Sequence, residues 1–296
     1  IKFGENMQIV TDSTTDTHLL EEKDLNIHIV PLKVTLDEKS YRDGIDLSAN
    51  DFYQVLEKSD GLPVTSQPSA GEFAELYRDL AKKDKDILSI HISSGLSGTV
   101  NSATTAAQMV PEANVTVVDT KTLSGAAGWQ VMAAIKAIKA GWPLDKILKK
   151  LKEIGDATYS LYTLKELKYL IHGGRISHIK GLIASVLQIK PLIGVHKELG
   201  NYTQEGQARS FSKALDGIVD IMKKTYSSLE PLRVQIAHTA NIEGAQELKD
   251  KVTQAFKCDW LHLGQISFVL GAHTGPSMVG IAFAPNKVFE GDILNS

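Results

Sequence analysis

SIHISSGLSGTVNSA, residues 89–103, combines three local structural signals. Ile90 and Ile92 alternate with Ser89 and His91, as in a half-buried strand. A run of serine, glycine and threonine follows, and a helix begins after it. The unpaired N–H groups and the dipole at the start of a helix, together with neighbouring hydroxyls, suit an anion such as a phosphate or a carboxylate. The segment therefore predicts a strand, an anion-binding loop and a helix.

Apolar strand-like runs alternate with helical patterns on both sides of this segment. This alternation predicts an α/β fold with largely parallel sheets. Two helices open with a serine followed three residues later by an acid, at Ser48 and Ser69, as in a capping box. The predicted strands are QIVTD, IHIVPLKVT, ILSIHI, VTVVD, TYSLYT, IKPLIGV, VQIAHT and VGIAFAP.

The length of the chain favours two domains. Its 296 residues, 43% of them hydrophobic, are enough for two compact cores. One helix closes on Gly141, the next begins at Pro143, and a new series of strands starts after it, so we place a boundary near Asp156. The prediction is an N-terminal α/β domain at 7–156 with hydroxyl-rich anion loops and a C-terminal α/β domain at 157–296.

Composition narrows the classes of function. The formal net charge of −3, from 32 basic and 35 acidic residues, gives no electrostatic signature for nucleic acid or for stable membrane attachment. The single cysteine, Cys258, excludes an internal disulfide and a multi-cysteine metal site. With no signal peptide or long apolar run at its start, the chain is expected to be cytoplasmic. Residues 1–6 are assigned no function.

Five polar loops follow predicted strands or helices, and loops at strand ends are the usual ligand positions in open α/β sheets. Each also has a purely structural interpretation. Ser69, Ser97 and Thr99 would cap helices, Asp12 would be a turn residue, and Arg175 would lie in solvent after a helix that ends at two glycines. The loops are VTDST at 10–14, VTSQPSAGE at 64–72, SSGLSGT at 93–99, HGGRISH at 172–178 and GAHTGPS at 271–277.

Well-known catalytic and cofactor patterns are missing from the sequence. GLSG and GPSMVG both differ from the G-x-S-x-G elbow of α/β-hydrolases. No Walker A pattern occurs, and no G-x-G-x-x-G follows the first strand, so no nucleotide cofactor is predicted. The histidines at 172, 178, 196 and 238 show no metal-ligand spacing, so no metal is predicted.

Taken together, the loops resemble the DegV family of fatty-acid-binding proteins. The resemblance extends over about residues 7–285. One departure is Ser277, which stands where the family often has glycine. The motifs that carry it are IVTDST at the start, TSQPS at 65–69, SSGLSGT at 93–99, VVDT at 117–120, GGRIS at 173–177 and HTGP at 273–276.

This resemblance implies a long-chain fatty acid held between two α/β domains, with its tail in an apolar tunnel. Thr65 and Ser94 would bind the carboxylate, and Arg175 and His273 would lie near it, with Arg175 or a protonated His273 offsetting its charge. The resemblance also implies that the protein is the lipid-binding subunit of a bacterial fatty acid kinase in phospholipid metabolism, not an enzyme by itself. A separate ATP-binding subunit would phosphorylate the presented carboxylate. Ser66 and Ser93 would lie near the head group or face that partner.

Two other functions stay open at this point. The first is a serine esterase or thioesterase that uses Ser94 with His273 and Asp12, although the missing nucleophile elbow argues against it. The second is a regulatory protein in which bound lipid changes the angle between the domains.

Overall fold

The computed structural model describes residues 7–20, 26–179, 181 and 189–290. The prediction made for residues 1–6 lies outside them. Among the helices in these ranges, none combines the length and the apolar character needed to cross a bilayer.

Strands and helices alternate through the described ranges. The strands are β1 Gln8–Asp12, β2 Ile27–Val30, β3 Lys33–Leu36, β4 Lys39–Arg42, β5 Val64–Ser66, β6 Asp86–His91, β7 Asn114–Asp119, β8 Tyr159–Thr163, β9 Lys190–Val195, β10 Tyr202–Ala208, β11 Leu232–His238, β12 Cys258–Trp260, β13 Gly264–Gln265 and β14 Val279–Pro285. The helices are α1 Ala49–Lys58, α2 Ala70–Ala81, α3 Thr99–Met109, α4 Ser124–Lys139, α5 Leu144–Ala157, α6 Lys168–Gly173, α7 Phe211–Thr225, α8 Ile242–Ala255 and α9 Phe268–Thr274.

The first sheet is parallel throughout, in the order β2-β1-β6-β7. Its side chains alternate between two apolar layers because successive residues of a strand point to opposite faces. Val10 and Ile87 pack with α2 and α3, whereas Ile9 and Leu88 pack with α4 and α5. The expected α/β class is confirmed, and so is parallel pairing in this half.

The second sheet differs from the expected pairing. Its order is β10-β9-β8-β14-β11-β12, and β13 also pairs with β11. The four pairings from β10 to β11 are antiparallel, and only β12 and β13 run parallel to β11. The direct turn between β9 and β10 leaves no room for the crossover that a parallel pair needs. Apolar runs predict strands but not their direction, so the sequence could not reveal this.

Helices α4 and α5 lie between the two sheets. One apolar cluster joins Ile9 and Leu88 of the first sheet, Trp129 of α4 and Ala282 of β14. On the other face of β14, Ile281 packs with α7 and α8. The layers therefore run α2 and α3, first sheet, α4 and α5, second sheet, α7 and α8. The proposed boundary near Asp156 falls at the end of the shared helix layer and stays a prediction.

A third, small antiparallel sheet in the order β4-β3-β5 carries part of the candidate site. The predicted run IHIVPLKVT is two strands, because Pro31 lies between β2 and β3. Phe52 of α1 stacks on Phe268 of α9 with ring centroids 4.9 Å apart, which joins this sheet region to the second half of the chain. The capping box at Ser69 is confirmed, with hydrogen bonds in both directions between Ser69 and Glu72.

Candidate functional site

An apolar cavity lies between the start of α4 and the second sheet. Its volume is about 60 Å³. The cavity is therefore narrow. None of the described residues that line it is charged, and its walls come from α4, β8, β11, β14 and α9, with Tyr202 and Val195 closing one side.

Small residues create this cavity. Ala237 on β11, together with Gly280 and Ala282 on β14, lines it where larger side chains would fill the space between helix and sheet. Two buried tyrosines, Tyr162 and Tyr202, line this region, and their side chains interact with each other. The Tyr162 ring meets Tyr202 edge to face, with centroids 5.5 Å apart. These lining residues escaped the sequence analysis because a void leaves no periodic pattern.

Helix α9 connects the cavity to the predicted head-group residues. Leu270 and Thr274, one turn apart, both line the cavity. His273 lies between them in sequence, in the last turn of α9 and not in the predicted loop. Its Nε2 lies 2.8 Å from Oγ1 of Thr65, which is a hydrogen bond across 208 residues of sequence. Thr65 itself lies within strand β5, and its neighbour Ser66 is exposed.

Of the two alternatives for the positive charge, Arg175 or a protonated His273, the surroundings of His273 favour Arg175. Burial lowers the pKa of His273 to about 4, and the nearby Arg175 and His172 add to the shift. The imidazole is therefore neutral at pH 7. Its Nδ1 is buried and has no hydrogen-bond partner among the described residues.

The GGR motif lies against this histidine. A Cβ on Gly173 would collide with the His273 imidazole, which explains why glycine stands at this position. Gly174 adopts a φ of 73° and ends α6, as the structural interpretation predicted. Arg175 is exposed, yet its Nη1 donates to the Gly173 carbonyl at 2.6 Å and its Nε donates to the Leu96 carbonyl at 3.4 Å. The structure thus brings the TSQ, GGR, HTGP and SSGLSGT motifs together.

Ser94 has other hydrogen-bond partners than the Thr65–His273 pair. It is exposed, and its Oγ accepts a hydrogen bond from Lys121 Nζ at 3.2 Å. The Ser94 amide donates to Oδ1 of Asp119 at 3.2 Å, and Lys121 Nζ lies 2.8 Å from Oδ2 of Asp119. Burial raises the pKa of Asp119, but hydrogen bonds from Lys121 and Ser94 outweigh it and hold this pKa below its usual range. A carboxylate of the chain itself therefore already accepts the Ser94 amide.

The other groups of the 93–99 loop are also largely engaged. Ser93 is buried, and its Oγ accepts from the Gly95 amide at 3.1 Å. The amides of Leu96 and Ser97 donate to the Ser93 carbonyl, and Ser97 Oγ accepts from the Thr99 amide at 3.3 Å. Helix α3 begins at Thr99, as expected, but most amides of the expected anion loop are bound to the chain itself.

The three residues of the esterase hypothesis are held by different partners. Asp12 is fully buried, and its carboxylate lies 2.9 Å from Nδ1 of His91. His91 is hydrogen-bonded to Ser89, and Ser89 is hydrogen-bonded to Tyr77, all of them buried. His273 pairs with Thr65 and Ser94 with Lys121, so these described residues do not form the proposed triad.

The chain is similar to known proteins along almost its whole length. A family model described as the DegV family of uncharacterised proteins matches residues 6–286. A DegV domain-containing protein of Staphylococcus aureus strain MRSA252 is 36% identical over 92% of this chain and 96% of its own length.

Solved structures of similar proteins share the fold. A DegV family protein from Thermus thermophilus, described for its fatty acid binding, is 29% identical with a TM-score of 0.85, covering 94% of this chain and 99% of that one. DegV of Bacillus subtilis, described as a fatty acid binding protein, is 30% identical with a TM-score of 0.83, covering 95% and 99%.

Proposed function

Because the chain belongs to the DegV family, we propose that it binds one long-chain fatty acid, with the hydrocarbon tail in the apolar cavity and the carboxylate beside Thr65. The observation that carries this proposal is the position of α9, which lines the cavity with Leu270 and Thr274 and presents His273 to Thr65. Fatty acid binding by structurally similar proteins from Thermus thermophilus and Bacillus subtilis supports it.

The two ends of the fatty acid would contribute to binding in different ways, the tail through apolar burial and the carboxylate through hydrogen bonds and charge. Each methylene group of the tail that the cavity buries would contribute roughly 0.8 kcal/mol before ordering costs are subtracted. In the tautomer that carries its proton on Nε2, the neutral His273 donates to Thr65, which would leave the Thr65 hydroxyl proton free for a carboxylate oxygen. Arg175, close to this pair, supplies the positive charge. Ser94 is proposed as a second carboxylate ligand, with Ser66 and Ser93 near the head group.

We further propose that the protein presents this carboxylate to a separate ATP-binding kinase subunit, which forms an acyl phosphate, and that it uses no cofactor or metal of its own. The absence of a Walker A sequence and of a nucleophile elbow supports a role in binding. Arg175 is exposed at the predicted head group, where it would face such a partner and stabilise charge that builds during phosphoryl transfer.

Mass spectrometry of a solvent extract tests the binding step. We expect about one fatty acid per chain after bacterial expression, and rebinding of an added long-chain fatty acid by delipidated protein. An extract without lipid, combined with no measurable rebinding, would contradict the proposal.

A coupled assay with the kinase subunit of the same organism tests presentation. We expect Arg175→Ala and His273→Ala to lower ATP-dependent turnover more than they lower lipid affinity. Equal losses of turnover and affinity would instead indicate that these residues only join the two halves. Esterase activity of the isolated protein that disappears in Ser94→Ala would favour the enzyme hypothesis.

A further inference from the structure

One buried side-chain amide lies in the wall of the apolar cavity. Among the described residues that line the cavity, Gln235 of β11 carries the single side-chain amide, and it is 2% exposed. Strand pairing places Gln235 opposite Ala282, and Ala237 opposite Gly280. Because side chains two residues apart on a strand share a face, these residues form two successive rows in the cavity wall. The row of Gln235 and Ala282 is here called the cavity floor.

The cavity floor lies at the end of the cavity away from His273. Thr239, just after β11, donates from Oγ1 to the carbonyl of Gly275 at the end of α9, at 2.6 Å. His273 precedes Gly275 by two residues, whereas Gln235 precedes Thr239 by four, which is about 13 Å along an extended chain. A tail that starts beside His273 therefore passes the row of Ala237 before it reaches the cavity floor.

Hydrogen bonds hold the Gln235 amide in place. Its Oε1 accepts from Nε1 of Trp129 at 3.0 Å, and its Nε2 donates to the carbonyls of Leu19 and His262, both at 3.2 Å. A Cβ on Gly125 would collide with the same Oε1, so the start of α4 also approaches the amide closely. Movement of the side chain would leave these buried groups unpaired, which is costly. The cavity floor is therefore rigid.

Aromatic rings pack behind the cavity floor. Trp129 meets Phe289 edge to face with centroids 5.3 Å apart, and both belong to the buried apolar cluster of Ala282. To one side, Ser160 lines both the cavity and a neighbouring pocket whose walls include the charged Lys197. A hydrocarbon chain gains little by leaving an apolar cavity for a pocket with charged walls. We therefore expect a tail to stop at the cavity floor.

We infer that Gln235, held by Trp129, sets the upper limit of acyl chain length by stopping the terminal methyl group of the fatty acid. The inference rests on the proposed function, because it takes the tail to lie in the cavity. Each methylene group that fits above the cavity floor raises affinity about fourfold, whereas one that does not fit must bend the tail or displace the amide. A rigid floor therefore gives a sharp fall in affinity beyond one chain length.

Competition among saturated fatty acids from lauric to arachidic acid tests the inference. The delipidated full chain is incubated with an equimolar mixture, and the bound acids are quantified by mass spectrometry. In Gln235→Ala, we expect the ratio of the next longer acid to the acid that the wild type prefers to rise at least about fourfold. Ala282→Leu fills the cavity floor and should favour the next shorter acid. Gln246→Ala is the matched control, because Gln246 is exposed on α8 and does not line the cavity.

An unchanged profile of bound acids in Gln235→Ala, or a shift toward shorter acids, would overturn the inference. Should Gln235→Ala fail to fold, Ala282→Leu decides the question from the same row, and an unchanged profile in that variant would equally count against the cavity floor. A wild type that binds none of the acids would contradict the proposed function itself. Failure of the lipid proposal is thus distinguishable from failure of the length limit.

Discussion

Thr65 and Ser94 are the two hydroxyl residues that were predicted to bind the carboxylate, yet their surroundings differ. Thr65 is half-buried and hydrogen-bonded to the neutral His273, beside a cavity without charged walls. Ser94 is exposed, and Asp119 and Lys121 occupy its hydrogen-bonding neighbourhood. A hydroxyl binds the carboxylate of a ligand well only where no carboxylate of the protein already lies beside it. We therefore expect Thr65 to contribute more to fatty acid binding than Ser94.

The largest effect is expected from filling the cavity itself. Ala237→Phe places a ring where about four methylene groups of the tail would lie, so about 3 kcal/mol of lipid affinity should be lost. Fatty acid affinity measured by calorimetry checks this. Ala140→Phe is the control, since Ala140 is exposed at the end of α4, away from the cavity. Equal affinity in both variants would place the tail elsewhere.

Removal of the Thr65 hydroxyl should have the next largest effect. Thr65→Ala is expected to cost about 1 to 3 kcal/mol of affinity, because a charged acceptor loses a donor in a largely dry site. Thr65→Ser retains the hydroxyl and should restore most of the affinity. If alanine and serine bind lipid equally well, Thr65 is not a head-group ligand.

His273 should make stability depend on pH. Its pKa is about 4 in the fold but near 6.5 when unfolded, so the unfolded chain binds more protons between these values. The contribution of His273 to the free energy of unfolding therefore falls as the pH drops, by about 1.4 kcal/mol between pH 7.5 and 5.5.

Urea unfolding of the wild type and of His273→Gln at both pH values isolates this contribution. The comparison is needed because burial raises the pKa values of Asp16 and Asp43 to about 6 and 7, which changes stability in the opposite direction. We expect the variant to gain about 1.4 kcal/mol relative to the wild type on acidification. Parallel behaviour of the two proteins would mean that His273 titrates normally.

The smallest effect is expected at Ser94. Water competes at this exposed position, so Ser94→Ala should cost only about 0.5 to 1 kcal/mol of fatty acid affinity in calorimetry. Lys121→Ala is a useful companion, because it removes the ammonium that donates to Ser94. A loss in Ser94→Ala as large as that in Thr65→Ala would reverse the ranking of the two hydroxyls.

Local sequence patterns predicted much of the fold. The capping box at Ser69 and strands such as β1 and β6 depend on neighbouring residues, and they lie where the patterns placed them. The direction of β8, β9 and β14 depends on how the chain returns to the sheet, which no apolar run encodes. For the same reason the small sheet that holds Thr65 was seen only in part.

The candidate site was predictable as a set of motifs but not as an arrangement. Thr65 and His273 were both singled out, while their direct hydrogen bond depends on tertiary packing. The sequence left open whether Arg175 or a protonated His273 supplies the positive charge, because the burial that lowers the pKa of His273 is a property of the fold. The sequence did not reveal the cavity. Ala237, Gly280 and Ala282 leave space because their side chains are small, and this produces no periodic pattern.

The helix layer shared by the two sheets affects how the protein unfolds. Eleven of the 16 residues of α4 are buried, and its cluster includes Ile9 of the first sheet and Ala282 of the second. Separation of the halves would expose apolar surface of this helix to water, so neither half is expected to unfold alone. We therefore expect one cooperative calorimetric transition for the whole chain, and an isolated fragment 7–156 that aggregates unless a substitute covers α4.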